Sequence, residues 1–367
     1  MTKEELVEIK VNLFEAYYAC RRSKRNTNNA IAFELNYEQE LFRLYEDIIS
    51  YTYEPGRSIA FLVQKPVMRE IFAATFRDRV VHHYLINQLN PIFERHFIYD
   101  SYSCRVGKGT LFGIERMEKF MRACSDNYTN DCYVLKLDIS GYFMHINRVL
   151  LFVKVLRIVN RHYHAPDKPI IIYLLAKIIF QNPLDDCDIR GLAKEWDKLP
   201  RTKSLFYMPK GVGLPIGNLT SQVFSNIYLN DFDHFVKRDL KAHYYGRYVD
   251  DFVLMHRSKA QLIEWREQIR TYLKEHLNLD VHPKKEYLQH YGKGMPFLGG
   301  ILKPHRRYVG PRALKSFNQL MHATGWIADY DFLSGTGDEK RHEQIVSYVG
   351  FMKHFKAHKQ IAKYQLS

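Results

Sequence analysis

Residues 244–256 read YYGRYVDDFVLMH, two short strand-like runs that meet at the adjacent acids Asp250 and Asp251. Aromatic and β-branched residues on both sides of a short polar break predict a β-hairpin with the two acids at its turn. Adjacent carboxylates repel each other unless a cation lies between them, and hard oxygen ligands of this kind favour Mg²⁺. Taken alone, the pattern also fits an ordinary solvated turn.

A third acid, Asp138, ends the run YVLKLD at residues 133–138, which predicts a strand followed by a long apolar helix over 142–159. An Asp at this point can serve as a helix cap. Nucleotidyl transfer, however, needs two divalent ions about 3.5–4 Å apart, one for the attacking 3′-hydroxyl and one for the triphosphate. Asp138, Asp250 and Asp251 together satisfy that requirement.

The composition fits a globular protein with a polyanionic partner. The 367 residues suffice for two or three structural units at roughly 100–200 residues per domain. Apolar residues are 46% and charged residues 26%, which argues against disordered, collagen-like and coiled-coil proteins. The 54 Lys and Arg outnumber the 40 Asp and Glu, so a net charge of +14 suits nucleic acid.

The five cysteines show no CxxC spacing, which argues against a disulfide framework or a zinc knuckle and favours a reducing cytosol. The N-terminus lacks a signal-like apolar core, and no apolar run approaches the ~18–20 residues that span a bilayer. We therefore expect a soluble, cytoplasmic protein.

The spacing of apolar residues predicts further secondary structure. A strand is predicted over residues 58–66. Helices are predicted over residues 4–20, 34–50, 70–98, 169–180, 218–237 and 258–276.

Several blocks, in their order along the chain, resemble the motifs of reverse transcriptases. The resemblance implies an α+β right-hand polymerase with fingers, a palm built on a small antiparallel sheet, and a helical thumb. It spans roughly residues 55–305. The blocks are KPVMREI (65–71), FRDRVVHHYL (76–85), DSYSCRVGKGT (100–110), LKLDISGYF (135–143), GLPIGNLTSQ (213–222), YVDD (248–251) and FLGG (297–300).

The same resemblance divides the chain into four segments. It implies an N-terminal helical basic segment at 1–54, fingers at 55–130, a palm at 131–300 with an insertion at about 160–210, and a helical basic thumb at 301–367. The residues after Gly300 are expected to suffice only for a thumb, which holds duplex through its phosphates.

Within the family, the chain is most similar to the reverse transcriptases of diversity-generating retroelements. IGNLTSQ (216–222) stands where retrons and group II introns usually carry a QGxxxSP-like string, and LPRTKSLF (199–206) precedes it. The resemblance implies error-prone, adenine-mutagenised cDNA made from a template RNA, with a DNA primer, dNTPs and a small basic accessory variability determinant as partners. A retron or group II intron enzyme and a non-catalytic RNA-binding protein on a polymerase fold remain alternatives.

The resemblance also implies roles for individual residues around two Mg²⁺ ions. Asp138, Asp250 and Asp251 are the expected catalytic metal ligands, joined by the backbone of Ile139. Phe143 occupies the place of the steric gate that selects dNTPs over rNTPs, with Tyr142 as the alternative. The other residues expected to bind the nucleotide are Lys65, Arg69, Ile216, Gly217, Gln222, Lys284 and Lys285, with either of the last two as an acid for pyrophosphate.

Two further features follow from the same resemblance. Ile216 stands where better-known members have a glutamine that hydrogen-bonds the nucleotide, and an aliphatic side chain cannot supply that check. Gly217 would let the backbone approach the nucleotide closely. The primer grip is expected in the tight turn formed by Phe297, Leu298, Gly299 and Gly300.

Overall fold

The computed structural model describes residues 1–22, 27–64, 67–323 and 339–364, in which helices and small, mainly antiparallel sheets are mixed. This architecture confirms the predicted α+β class. Of the predicted site residues, Lys65 lies outside the described residues. No helix in these ranges combines the length and apolar character that crossing a bilayer requires.

The chain forms two units, and each is assembled from three separated segments. The first unit contains Met1–Arg105, Asp138–Lys241 and Gln268–Pro283. The second contains Val106–Leu137, Ala242–Glu267 and Lys284–Ser367. The division into N-terminal segment, fingers, palm and thumb stays a prediction.

Helices dominate the first unit and the C-terminal part of the second. In chain order they are α1 (Lys3–Arg21), α2 (Asn28–Glu34), α3 (Tyr37–Ile49), α4 (Phe76–His96), α5 (Thr110–Cys124), α6 (Tyr142–His145), α7 (Arg148–His162), α8 (Lys168–Phe180), α9 (Ala193–Trp196), α10 (Leu219–Tyr228), α11 (Asn230–His234), α12 (Lys259–Leu277), α13 (Pro311–Ala323), α14 (Glu339–Lys353) and α15 (His358–Ala362).

The described strands form three sheets. One has the order β2-β1-β4, the second β5-β6-β3-β7 and the third β10-β9-β8. The pairs β1–β2, β3–β7, β5–β6, β8–β9 and β9–β10 are antiparallel, whereas β1 and β4 are parallel. The strands are β1 (Ser58–Val63), β2 (Arg69–Ala73), β3 (Tyr133–Asp138), β4 (Cys187–Ile189), β5 (Tyr244–Tyr248), β6 (Asp251–His256), β7 (Tyr287–His290), β8 (Met295–Phe297), β9 (Gly300–Lys303) and β10 (Arg306–Val309).

The helix predicted over 70–98 is wrong in its first part, because residues 69–73 form β2. Glu70 and Phe72 are both fully buried, while their neighbours in REIFA are more exposed, and this period of two belongs to a strand. The helix α4 begins only after Thr75, whose side chain accepts a hydrogen bond from the Asp78 backbone N–H at 3.2 Å.

The helix predicted over 142–159 is also interrupted. Ile146 is extended, and the Asn147 side chain then accepts a hydrogen bond from the Leu150 N–H at 2.9 Å, which starts α7 as a new helix. In the last segment, β9 and β10 continue through Val309, so its helices begin at Pro311.

Candidate active site

The paired acids lie on a β-hairpin, as the sequence predicts. Tyr248 on β5 pairs with Asp251 on β6, which leaves Val249 and Asp250 as the two-residue turn. Asp251 is therefore the first residue of a strand, and only Asp250 occupies the turn itself. Val249 has a φ of 56°, a left-handed conformation that costs a β-branched residue about 1–2 kcal/mol.

A buried arginine holds this strained turn. The side chain of Arg247 is fully buried, and its Nη1 donates a hydrogen bond to the carbonyl oxygen of Val249 at 2.8 Å. A hydrogen bond from a charged group inside the protein contributes roughly 1.5–3 kcal/mol, enough to offset the strain at Val249. The hydrogen bond from the buried Arg247 to Val249 thus fixes the turn that carries Asp250.

The neighbouring strand β3 brings a cation to these acids. Lys136 Nζ lies 2.9 Å from Asp251 Oδ2, and the two side chains are 20% and 19% exposed. Lys136 precedes Asp138 by two residues on β3, so the side chains of both residues project from the same face of the strand. The beginning of β6 therefore lies beside the last residues of β3.

The backbone after β3 is fixed by a short extended segment. The Asp138 carbonyl oxygen accepts a hydrogen bond from the His282 N–H at 2.7 Å, and the Ser140 N–H donates to the Asp280 carbonyl oxygen at 2.8 Å. Ile139, predicted to offer its backbone to a metal, forms an isolated bridge with Val281, and its side chain is buried. These bonds restrict the conformation of the chain on both sides of Asp138.

The donor groups fit Mg²⁺ in their chemistry, since carboxylate oxygens are its preferred protein ligands. The ammonium of Lys136 beside Asp251 also shows that this face of the sheet attracts a cation. In the described ranges, no three His, Cys, Asp or Glu side chains already converge into a metal-binding group. The assignment of Asp138, Asp250 and Asp251 as the ligands of the ions stays a prediction.

In the first unit, two of the residues predicted to contact the nucleotide lie at one apolar cluster. Phe143 and Ile216 both pack against it. The backbone holds them there, since the Leu214 N–H donates to the Phe143 carbonyl at 2.8 Å and the Phe72 N–H donates to the Ile216 carbonyl at 2.8 Å. The buried members of the cluster are Ala60, Phe72, Met144 and Leu205.

The structure distinguishes the two candidates for a steric gate. Tyr142 is only 2% exposed, and its hydroxyl donates a short hydrogen bond to the Ser225 carbonyl. Phe143 is partly exposed and packs edge-on against the Tyr142 ring, with the centroids 5.5 Å apart. Phe143 therefore keeps part of its ring exposed, while Tyr142 belongs to the core behind it, and the steric gate at Phe143 stays a prediction.

Gly217 is required by its backbone conformation and by its surroundings. Its φ is +127°, which side chains rarely adopt. A Cβ at this position would lie 2.8 Å from Ile71 Cγ2 and 3.0 Å from the Phe72 carbonyl oxygen. The backbone at Gly217 therefore lies close against strand β2, while its predicted approach to a nucleotide stays a prediction.

The remaining predicted nucleotide contacts lie on the surface of their own elements. Arg69 is the exposed first residue of β2, and Gln222 is exposed on α10, where its Oε1 accepts a hydrogen bond from Cys104 Sγ at 3.4 Å. Lys284 and Lys285 are both exposed in the turn before β7. Their roles toward a nucleotide stay predictions.

The turn predicted as a primer grip is present between β8 and β9. Phe297 pairs with Gly300, and Leu298 and Gly299 form the two-residue turn with φ values of 46° and 84°. The Gly310 N–H donates to the Gly299 carbonyl at 2.7 Å, which ties the turn to the end of β10. A glycine at the second turn position tolerates this left-handed conformation without strain.

Sequence reasoning missed two buried polar residues in the first unit. Glu70 is fully buried and accepts a hydrogen bond from the Leu205 N–H, while burial raises the pKa of its carboxyl. His82 on α4 lies with Nδ1 2.5 Å from Thr220 Oγ1, and burial lowers the pKa of its imidazole to about 4. The alternation in REIFA was the signal that could have placed Glu70 inside.

Comparison with known proteins agrees with this geometry. The family model described as reverse transcriptase (RNA-dependent DNA polymerase) matches residues 63–302, a range that includes all three acids. Protein YkfC of Escherichia coli (strain K12) is 25% identical over 315 residues, and the match covers 76% of each chain.

Solved structures of telomerase also resemble the chain. Apo telomerase from Candida tropicalis, truncated from the C-terminal domain, is 14% identical with a TM-score of 0.49, over 72% of this chain and 58% of that chain. Telomerase from Candida albicans with a fragment of telomeric RNA is 12% identical with a TM-score of 0.49, over 89% and 61%. The chain spans about three fifths of the length of these telomerase chains.

Proposed function

Because this chain belongs to the reverse transcriptase family, we propose that it is the RNA-directed DNA polymerase of a diversity-generating retroelement and makes error-prone cDNA. Membership of the family confirms the predicted right-hand polymerase fold and RNA-directed DNA polymerase activity. The mutagenic role is the further step, and Ile216 carries it.

In the proposed reaction, the primer 3′-hydroxyl attacks the α-phosphorus of a dNTP, and pyrophosphate leaves as the new phosphodiester bond forms. Asp138, Asp250 and Asp251 would hold two Mg²⁺ ions, which would supply Lewis-acid activation of the attacking hydroxyl and neutralisation of the triphosphate. Arg69 binds the triphosphate through its planar guanidinium. Lys284 or Lys285 donates a proton to the leaving pyrophosphate.

Ile216 supports low fidelity through its chemistry and its packing. Its side chain packs against the apolar cluster of Ala60 and Phe72, next to Gly217. An aliphatic group in such surroundings offers neither a donor nor an acceptor to a nucleotide. Without a hydrogen bond to check the nucleotide, discrimination between correct and incorrect nucleotides depends on shape alone. A hydrophobic site distinguishes similar ligands by a free-energy difference of only about 1–3 kcal/mol. We infer misincorporation opposite template adenine.

The test replaces Ile216 with glutamine and sequences the cDNA made from a defined RNA template. Ile216→Gln should lower the error frequency at template adenines by about tenfold or more. Ile216→Leu is the matched control, because it keeps an aliphatic side chain of the same volume, and it should retain the wild-type error frequency. An unchanged frequency at adenines in Ile216→Gln would contradict the proposal.

The partners in this proposal are a structured template RNA, a DNA primer, dNTPs and a small basic accessory variability determinant in the cytoplasm of a bacterial or phage-infected cell. The net charge of +14 suits the nucleic acids. Correctly primed cDNA from the cognate RNA should decrease strongly when the accessory protein is omitted. Undiminished cDNA synthesis without the accessory protein would show that it is not a required partner.

A further inference from the structure

The outer face of α1 carries a row of exposed apolar side chains, none of which belongs to the predicted polymerase site. Val7, Val11 and Tyr18 are 57%, 51% and 50% exposed, and the partly exposed Phe14 completes this outer row. Phe42 on α3 lies beside it, with the Phe14 and Phe42 ring centroids 6.0 Å apart. Single exposed apolar residues are normal on a protein surface, whereas a continuous group marks a site of contact with another molecule.

The opposite face of α1 packs into the first unit. The Tyr17 ring lies edge-on to Phe76 of α4, with the centroids 6.1 Å apart. A surface helix needs only one apolar face to pack onto its own domain, so the outer row is not required by this packing. The buried residues of α1 are Ile9, Leu13, Ala16, Tyr17 and Cys20.

The outer row has the spacing of a coiled-coil interface. Its members follow one another at intervals of four, three and four residues, which are the intervals between successive d and a positions of a seven-residue repeat. Such residues form one line along a helix with 3.6 residues per turn. The 19 residues of α1 extend over roughly 28 Å, so the whole row can lie against one partner helix.

Charges of opposite sign flank the outer row. Glu8 and Glu15 occupy e positions of the repeat, on one side of the row. Lys3 and Lys10 occupy g positions on the other side, where Lys10 Nζ lies 5.0 Å from the centroid of the Phe42 ring. Both glutamates are exposed, and neither lies within salt-bridge distance of a base among the described residues. The helix therefore has an acidic edge and a basic edge.

These two edges are complementary to a second copy of the same helix in one orientation only. In a parallel pair, the g position of one helix lies opposite the following e position of the other, so Lys3 meets Glu8 and Lys10 meets Glu15 of the second copy. In an antiparallel pair, e positions meet e positions, so that glutamate opposes glutamate and lysine opposes lysine. A two-fold axis along the parallel pair forms each of these contacts twice.

We propose that α1 forms a parallel helical interface with α1 of a second copy of this chain, with the outer row between the two helices. Glu8 and Glu15 disfavour a nucleic acid on this face, because they would repel its phosphates. A single helix buries less area than an obligate interface does, and exposed ion pairs contribute little to affinity. We therefore expect a reversible dimer with a dissociation constant in the micromolar range.

The first test exchanges the charges and measures the dimer by sedimentation velocity from low to high micromolar protein. The acidic variant is Lys3→Glu, Lys10→Glu, and the basic variant is Glu8→Lys, Glu15→Lys. Each variant alone should dimerise about tenfold or more weakly than the wild type, because both of its edges carry one sign. An equimolar mixture should regain the wild-type affinity, which also shows that both variants fold. The differences should diminish at high salt.

A second variant tests the apolar row itself. Val11→Gln should weaken the dimer by about tenfold or more, since a polar side chain at an a position loses its apolar contact with the second copy. Val346→Gln is the matched control, because Val346 is likewise an exposed valine within a helix, at 54%, and it should dimerise as the wild type does. The melting temperature of both variants reports folding.

A cysteine in the outer row reports the orientation of the two helices. Val7→Cys should form a cross-linked dimer on mild oxidation with diamide, because the two residues at position 7 are neighbours in a parallel pair. In an antiparallel pair position 7 would lie opposite position 18, which separates the two cysteines by roughly 16 Å along the helix. The wild type treated in the same way reports any cross-link through the exposed Cys104.

Three results would overturn the proposal. A wild type that stays monomeric at high micromolar concentration would show that α1 does not bind a second copy. If Val11→Gln then bound a labelled RNA more weakly than Val346→Gln, the outer row would be assigned to RNA instead. Equal dimerisation by Val11→Gln and the wild type would place the interface elsewhere. A dimer that Val7→Cys does not cross-link would contradict the parallel arrangement. None of these readouts depends on cDNA synthesis.

Discussion

Lys136 Nζ on β3 lies 2.9 Å from Asp251 Oδ2 on β6. The contact joins the strand that ends at Asp138 to the hairpin that carries Asp250 and Asp251. A lysine at this position neutralises part of the negative charge that the acids place on one face of the sheet. We infer that Lys136 and Mg²⁺ compete for Asp251.

Lys136→Met should therefore lower the Mg²⁺ concentration needed for half-maximal incorporation, by roughly fivefold for an interaction of about 1 kcal/mol. A Mg²⁺ titration of dNTP incorporation measures this. Lys136→Arg keeps the charge and should behave as the wild type does. A higher Mg²⁺ requirement in Lys136→Met would show instead that the lysine holds Asp251 in its working position.

Phe143→Ala should relax the choice between dNTPs and rNTPs. The ring of Phe143 is partly exposed beside the apolar cluster, where it can meet a 2′-hydroxyl. Its removal should lower the ratio of kcat/KM for dCTP over CTP by ten- to a hundredfold, measured by single-nucleotide extension. Tyr142→Phe is the control, because the Tyr142 hydroxyl bonds the buried Ser225 carbonyl and faces no nucleotide. If Phe143→Ala left the ratio of kcat/KM for dCTP over CTP unchanged, Phe143 would not be the steric gate.

Gly217→Ala should destabilise the protein by about 2 kcal/mol or more. The new Cβ would meet the Phe72 carbonyl at 3.0 Å in a backbone conformation that alanine disfavours. Gly350→Ala in α14 is the matched control, because nothing lies within 4 Å of its added Cβ and alanine favours a helix by about 1 kcal/mol. Denaturant unfolding should thus move in opposite directions for the two variants. Equal stability of Gly217→Ala and wild type would contradict the close approach.

His82 should make the stability of the fold fall in mild acid. Burial lowers the pKa of its imidazole from 6.5 to about 4, so its contribution is complete above pH 6.5 and is lost as the pH falls toward 4. The loss amounts to at most about 3 kcal/mol, since each pKa unit corresponds to 1.36 kcal/mol. Urea unfolding of His82→Gln should depend less on pH in that window than unfolding of the wild type. His358 is exposed, and His358→Gln should show the same pH dependence of stability as the wild type. If His82→Gln also kept the wild-type pH dependence, another group would be responsible for it.

The sequence predicted the elements whose signal is local. The apolar run before Asp138 and the aromatic and β-branched runs beside Asp250 and Asp251 are short and bounded by polar residues, so β3 and the β5–β6 hairpin could be placed from their residues. The turn Leu298–Gly299 was found in the same way. Each of these predictions depends only on neighbouring residues.

Features that depend on distant residues were missed or misplaced. β2 was predicted as the start of a helix, and its strand conformation depends on pairing with β1. The contact of Lys136 with Asp251 joins residues more than a hundred positions apart, as does that of His82 with Thr220. No local pattern contains such pairs.

The central claim is that Asp138, Asp250 and Asp251 make this chain a Mg²⁺-dependent RNA-directed DNA polymerase. The most direct measurement compares dNTP incorporation on a primed RNA template by wild type and by Asp250→Ala, with Lys259→Ala as a surface control. We expect Mg²⁺-dependent incorporation by wild type and by Lys259→Ala, and at least a thousandfold less by Asp250→Ala, with the same melting temperature for all three proteins. Equal incorporation by wild type and a folded Asp250→Ala, or none by wild type with its cognate RNA and accessory protein, would contradict it.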